Sequence, residues 1–311
     1  MTDGSRKAIL AAFFANLGIA ISKFVGFVLT SSASLLAEAV HSLADTGNQA
    51  LLLLGGRRAR READQDHPFG YGRERYFWSF VVALVLFSMG GLFALYEGIQ
   101  KLRDPHETEN LAIAVGILVV AIALESFSLR TAIREVKHHK SPTMPWWTYI
   151  RTSKQPELPV VLLEDIGAEI GLFLALGGVL TAHATDDPRW DALGSISIGV
   201  LLVIIAAVLA VEMKGLLIGE SASRADRDAI VGAIEGTAAV DRLIHMRTQH
   251  LGPDEVLVAA KIELDASLSF DEVARAIDSV EGRIREAVPT ARVIYLEPAA
   301  YDPAVARTTE A

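Results

Sequence analysis

Long apolar blocks alternate with short polar segments through the first two thirds of the chain. Six such blocks stand out, at residues 8–29, 33–56, 77–100, 111–133, 158–183 and 192–216. A helix rising ~1.5 Å per residue needs about 20 mostly apolar residues to cross the hydrocarbon core of a bilayer. The pattern therefore predicts six transmembrane helices in a domain spanning residues 1–217. Beyond it the periodicity changes. Residues 225–236 and 270–287 carry helical spacing, with Val273, Ala276, Ile277, Val280 and Ile284 on one face of the second. Residues 240–251 and 255–264 read as strands around the turn Gly252-Pro253-Asp254, and 291–296 as a last strand ending near Pro298. The order αββαβ predicts a small two-layer α+β domain of ferredoxin-like type over residues 218–300, followed by a disordered tail at 301–311.

Charge placement orients the blocks. Arg57, Arg58, Arg60, Arg61, Arg73 and Arg75 follow the second block, and Arg130, Arg134, Lys137, Lys140, Arg151 and Lys154 lie around the connection between the fourth and fifth. The alternate connections hold only Lys101 and Arg103, or Arg189. A positive-inside bias places the two basic connections and both termini in the cytoplasm. The first block is too long for a signal-peptide core and lacks a cleavage pattern, so it reads as a retained span. From residue 215 onward there are ten Lys and Arg against seventeen Asp and Glu, so most of the net charge of -9 sits in the C-terminal domain. That balance argues against nucleic acid as a partner and against docking on anionic lipid. The chain has no cysteine, which excludes thiolate metal sites and disulfides.

Ionisable residues inside an apolar span are costly and mark a pathway or a site. The second block holds Glu38, His41 and Asp45, spaced so that all three share one helical face, with Asn48 and Gln49 extending the stripe. The fifth block holds Glu164, Asp165 and Glu169. An imidazole with several carboxylates on two facing helices makes a tetrahedral nitrogen–oxygen cation site. The same residues also fit plain hydrogen bonding between helices. Lys23, late in the first block, either pairs with one of these acids or snorkels outward to the surface or a backbone carbonyl, the second being favoured. No HExxH and no serine or cysteine nucleophile arrangement points to an enzyme, and no cofactor is implied.

The run Ser34-Leu35-Leu36-Ala37-Glu38-Ala39-Val40-His41-Ser42-Leu43-Ala44-Asp45 resembles the second transmembrane helix of the cation diffusion facilitator family. The loop His67-Pro68-Phe69-Gly70-Tyr71-Gly72-Arg73-Glu74-Arg75-Tyr76-Phe77-Trp78 resembles that family's loop, and with Leu162-Leu163-Glu164-Asp165 it is similar to the branch containing zinc transporter nine. The resemblance covers nearly the whole chain. It implies a homodimer of six-helix protomers in the lipid bilayer, each with a cytoplasmic ferredoxin-like domain. It further implies export of Zn²⁺, or a related divalent cation, in exchange for protons by alternating access. His41 and Asp45 match the family's second-helix ligands, and Asp165 matches one of the fifth-helix pair, but Val161 stands where that pair has its histidine. Glu164, three residues on, fills the vacancy, with Glu169 as its competitor. The expected metal site is His41, Asp45, Asp165 and Glu164, with Glu38 and Glu169 as an outer relay.

Further metal positions of the family are only partly kept. Asp64 and His67 match loop ligands, but Tyr71 replaces a histidine. In the tail, Lys261 and Tyr295 stand where some members place histidine, while His245 and His250 remain. The tail reads as a dimerisation module. Arg73 lies near a family lysine that pairs with an acid at the domain junction, for which Glu220 is the candidate here. One histidine among carboxylates leaves Mn²⁺, Fe²⁺ and Co²⁺ open as alternative cargoes, and a metal-binding sensor or scaffold as an alternative role. An alanine-rich chain opening directly on its first span favours a bacterial inner membrane.

Overall fold

The computed structural model describes residues 3–30, 33–105 and 111–301, with the side chains at 3–9, 11, 12, 15, 30, 33–35, 37 and 38 outside the description. Of the expected tail at 301–311 all but Tyr301, together with the side chain of Glu38, therefore lies outside the described residues.

The helical unit contains six helices of 26 to 30 residues. They are α1 (Asp3–Thr30), α2 (Ala33–Arg58), a continuous helix Glu74–Arg103, α5 (Leu111–His139), α7 (Glu157–Thr185) and α8 (Arg189–Ile218). The continuous helix consists of α3 (Glu74–Val85), a π-helical segment Leu86–Leu92 and α4 (Phe93–Arg103). Among the described residues, three helices are long and apolar enough to cross a membrane: Glu74–Arg103, Leu111–His139 and Arg189–Ile218. A shorter apolar stretch, Asn16–Leu29, lies in α1. The helices overrun the apolar blocks. α5 continues past residue 133 through Arg134 and Lys137, because hydropathy marks the lipid-thick part of a helix and not its ends, and Arg, Glu and Lys propagate helix well. A short helix, α6 (Trp146–Thr152), was not expected from the apolar pattern; its Tyr149 and Ile150 pack with Ala132, Val136, Leu158 and Leu162 at the ends of α5 and α7.

One apolar core draws on all six long helices, through Ile19, Leu52, Val82, Leu118, Leu172 and Leu202 among others. Phe14, Phe24, Val28, Phe127, Phe173 and Val211 instead point outward and are exposed. A soluble domain does not expose apolar surface on that scale, whereas lipid contact accounts for it. This is an integral membrane protein. The close approach of α4 and α8 depends on glycine. A Cβ at Gly199 would lie 2.6 Å from Leu95 Cγ and 2.8 Å from the Leu95 backbone nitrogen, so any side chain would force the helices apart.

Two buried ion pairs tie the long Glu74–Arg103 helix to its neighbours. Near its start, Arg75 grips Glu157 of α7, with Nη2 donating to Oε2 at 2.9 Å and Nε donating to Oε1. Near its end, Lys101 pairs with Asp191 of α8, and both are almost fully buried. Arg75→Ala strands Glu157 as a lone buried charge and is expected to destabilise the protein by about 3–5 kcal/mol. Thermal unfolding in detergent measures this. Arg75→Met with Glu157→Leu, which removes both charges, should recover most of the loss; a single variant as stable as wild type contradicts the assignment.

The second unit contains α9 (Arg224–Glu235), β1 (Val240–Gly252), β2 (Glu255–Leu264), α10 (Phe270–Ala287) and β3 (Ala291–Pro298). Ser223 caps α9 by accepting from the Asp226 amide at 3.1 Å, and Ser269 and Glu272 form a capping box on α10. The αββαβ order is as expected. The sheet runs β1-β2-β3, with β1 antiparallel to β2 and β2 parallel to β3. The strands flanking α10 thus pair directly, unlike the split βαβ of a four-stranded ferredoxin-like sheet. Ile230, Ile234, Val256, Val258, Ile262, Val280 and Ile284 form its core. The segment Glu62–Arg73 belongs to this unit and not to the helical one, where the sequence reading had placed it. Gly72 lies against the β1–β2 turn, where a Cβ would sit 2.8 Å from the Leu251 carbonyl.

Candidate metal site

The spacing of four residues on α2 stacks His41 and Asp45 on one face, with His41 Nε2 3.4 Å from Asp45 Oδ2. Both are buried, as are Asn48 and Gln49 further along. α2 packs against α7, whose Glu164 and Asp165 are each 1% exposed. Asn48 Nδ2 donates to Glu164 Oε1. The charges of Asp45 and Glu164 act on one another across the α2–α7 contact. Asp165 turns toward α5 and accepts from Ser128 Oγ at 3.0 Å. Glu169 is half-buried and accepts from Ser126 Oγ at 2.7 Å.

Of the four expected ligands, then, His41 and Asp45 lie side by side on α2, Glu164 is buried on the facing α7 and bonded to Asn48 of α2, and Asp165 is engaged by Ser128 of α5. Among the described residues no three His, Asp or Glu groups converge tightly enough to hold a metal in this conformation. The donor balance is nevertheless that of a cation site. Among the described residues no N–H or O–H donates to Asp45 Oδ1, Glu164 Oε2 or Asp165 Oδ1, although all three are buried. Buried carboxylate oxygens in that condition are costly until a proton or a cation satisfies them.

The loop and sheet positions behave differently. Asp64 Oδ1 accepts from the amides of Asp66 and His67, at 3.1 and 2.8 Å, and Tyr71 Oη donates to Asp64 Oδ2 at 2.6 Å. The Tyr71 bond is the main cause holding the Asp64 carboxyl below its ordinary range. Its oxygens thus organise the loop. On the sheet, Lys261 Nζ makes an ion pair with Glu297 at 2.9 Å, next to Tyr295 and across from His245.

A family model, the cation efflux transmembrane domain, matches residues 9–218. The chain belongs to the cation efflux family. It is 33% identical over 287 residues to the proton-coupled zinc antiporter SLC30A9, mitochondrial, of Xenopus laevis, covering 91% of this chain and 51% of that one. Identity to the human protein of that name is 29% over 288 residues, covering 89% and 51%. Against the cation-efflux pump FieF of Shigella flexneri it is 27% over 292 residues, covering 93% and 91%. The chain thus spans about half the length of the SLC30A9 relatives it matches, and its similarity to them bears out the zinc transporter nine branch.

Two features of this cation efflux protein are not anticipated from the sequence, and the expectation for Lys23 is corrected. Glu125 of α5 is buried at 3% exposure and acts electrostatically on both Asp45 and Asp165. The rule that flagged the acids of the second and fifth blocks flags Glu125 as well, since it is an ionisable residue within an apolar block. The π-helical segment brings Gly90 against the site, where a Cβ would lie 3.5 Å from His41 Nδ1; such segments recur at functional sites, but hydropathy does not register them. Lys23, finally, does not snorkel. It is fully buried, and its Nζ donates to Ser42 Oγ at 2.8 Å.

Proposed function

We propose that this protein is a secondary transporter that exports a divalent transition metal, Zn²⁺ foremost, from the cytoplasm in exchange for protons. The observation carrying this is the meeting of α2 and α7 inside the helical unit, which buries His41, Asp45, Glu164 and Asp165 with carboxylate oxygens that no donor among the described residues reaches. His41, Asp45, Asp165 and Glu164 are the proposed ligands, with Asp165 released from Ser128 when metal binds. Six helices as six spans, both basic connections in the cytoplasm, and a homodimer joined through the sheet domain complete the reading. Family membership and the printed names of the relatives, antiporter and efflux pump, support it.

The chemistry follows from the ligands. A metal ligand must be deprotonated, so metal binding releases protons and protonation releases metal. Binding is therefore expected to weaken as pH falls. In vesicles, metal uptake should slow when the proton gradient is collapsed, and protons should flow against the metal. Flux indifferent to the gradient, with no proton counterflow, contradicts the exchange.

Glu125 favours one variation on this reading. It raises the carboxylates around His41 to four, counting Asp45, Glu164 and Asp165. Oxygen-rich sites suit Mn²⁺ better than imidazole-rich ones do. Competition between Mn²⁺ and Zn²⁺ for uptake decides the cargo without altering the architecture.

A further inference from the structure

Lys23 lies inside Asn16–Leu29, a stretch of α1 whose other polar residues are Asn16 and Ser22. A lysine in a membrane helix normally extends its apolar stem until the ammonium reaches the interface. This one turns inward to 0% exposure and donates to Ser42 on α2. Ser42 is the residue after His41, and the charge of Lys23 acts on Asp45. The other two buried cations described above, Arg75 and Lys101, each form an ion pair with a carboxylate. Lys23 holds its charge beside Ser42, next to the residues proposed to bind metal.

A fixed positive charge has a definite consequence there. In a low-dielectric interior it attracts the carboxylates and repels an arriving divalent cation. Four carboxylates without a counter-charge would hold a divalent ion too tightly for it to leave, and a carrier, like a conduction pathway, needs binding weak enough for release. Building on the transport function proposed above, we infer that Lys23 is an internal counter-cation that partly neutralises the site around Asp45 and sets how tightly metal is held. It is a positioning residue acting through the carboxylates, not a ligand.

The sign of the expected effect separates this from a merely structural role. Lys23→Gln keeps a donor for Ser42 and removes only the charge. Titrating Zn²⁺ into the purified full-length protein in lipid nanodiscs should show binding tightened by on the order of tenfold. Maximal transport in proteoliposomes should fall, because release slows. Lys23→Arg, which keeps the charge, should bind within about threefold of wild type. A folded Lys23→Gln with unchanged or weaker affinity overturns the proposal, as expected if Lys23 only ties α1 to α2. Should Lys23→Gln fail to fold, Glu125→Gln is compared with Lys23→Gln plus Glu125→Gln, and the double variant must bind more tightly than the single one. Asp45→Ala distinguishes the two levels of the account. If wild type binds Zn²⁺ and Asp45→Ala does not, but removing the Lys23 charge changes nothing, only the Lys23 inference falls. If wild type shows no saturable Zn²⁺ binding, the metal site itself falls.

Discussion

Asp45→Ala is expected to weaken Zn²⁺ binding by more than about 100-fold, since groups one step removed from a metal are already worth about 10–100-fold. Asp45 is the point where the two helices of the site meet. It stacks on His41 along α2, three residues from the Asn48 that donates to Glu164 of α7. Removing it takes away a proposed ligand and the carboxylate beside His41. Fold should survive, because the carboxyl is not part of the buried ion pairs at Arg75 and Lys101. Titration of Zn²⁺ alongside thermal unfolding checks both halves. Near-normal affinity in a folded variant contradicts the assignment.

The second large effect separates two glutamates five residues apart on α7. Glu164→Gln is expected to weaken Zn²⁺ binding by about 10–100-fold, and Glu169→Gln by no more than a few-fold. Glu164 is buried and accepts from Asn48 of α2, whereas Glu169 is half-buried and engaged by Ser126. Glutamine conserves size and hydrogen bonding, so the comparison isolates the negative charge. Affinity surviving Glu164→Gln but lost in Glu169→Gln would exchange their roles and move the site one turn along α7.

Much of this was legible in the sequence because two strong signals govern it. Apolar length marked where the helices run, and the cost of burying charge marked His41, Asp45, Glu164 and Asp165 as more than filler. The αββαβ order came from period and turn chemistry, with Gly252-Pro253-Asp254 closing the β1–β2 hairpin. What stayed hidden depends on direction and partner, which no one-dimensional pattern carries. Lys23 has the same hydropathy whether it snorkels or turns inward, and only the position of Ser42 on α2 decides. Arg75 counted as one more loop arginine until Glu157 lay opposite. The family resemblance makes Asp165 a ligand, yet Ser128 of α5 engages it. The π-helical segment differs from α-helix in hydrogen bonding, not in composition. The direct parallel pairing of β2 with β3 is likewise a matter of partners.

The most direct test of the central claim is Zn²⁺ uptake into proteoliposomes under an imposed pH gradient, wild type against Asp45→Ala. The account predicts saturable, gradient-driven uptake by wild type, with protons moving the other way, and none by the variant. Uptake by Asp45→Ala at the wild-type rate, or no flux of Zn²⁺ or Mn²⁺ by a folded wild-type protein, would contradict it.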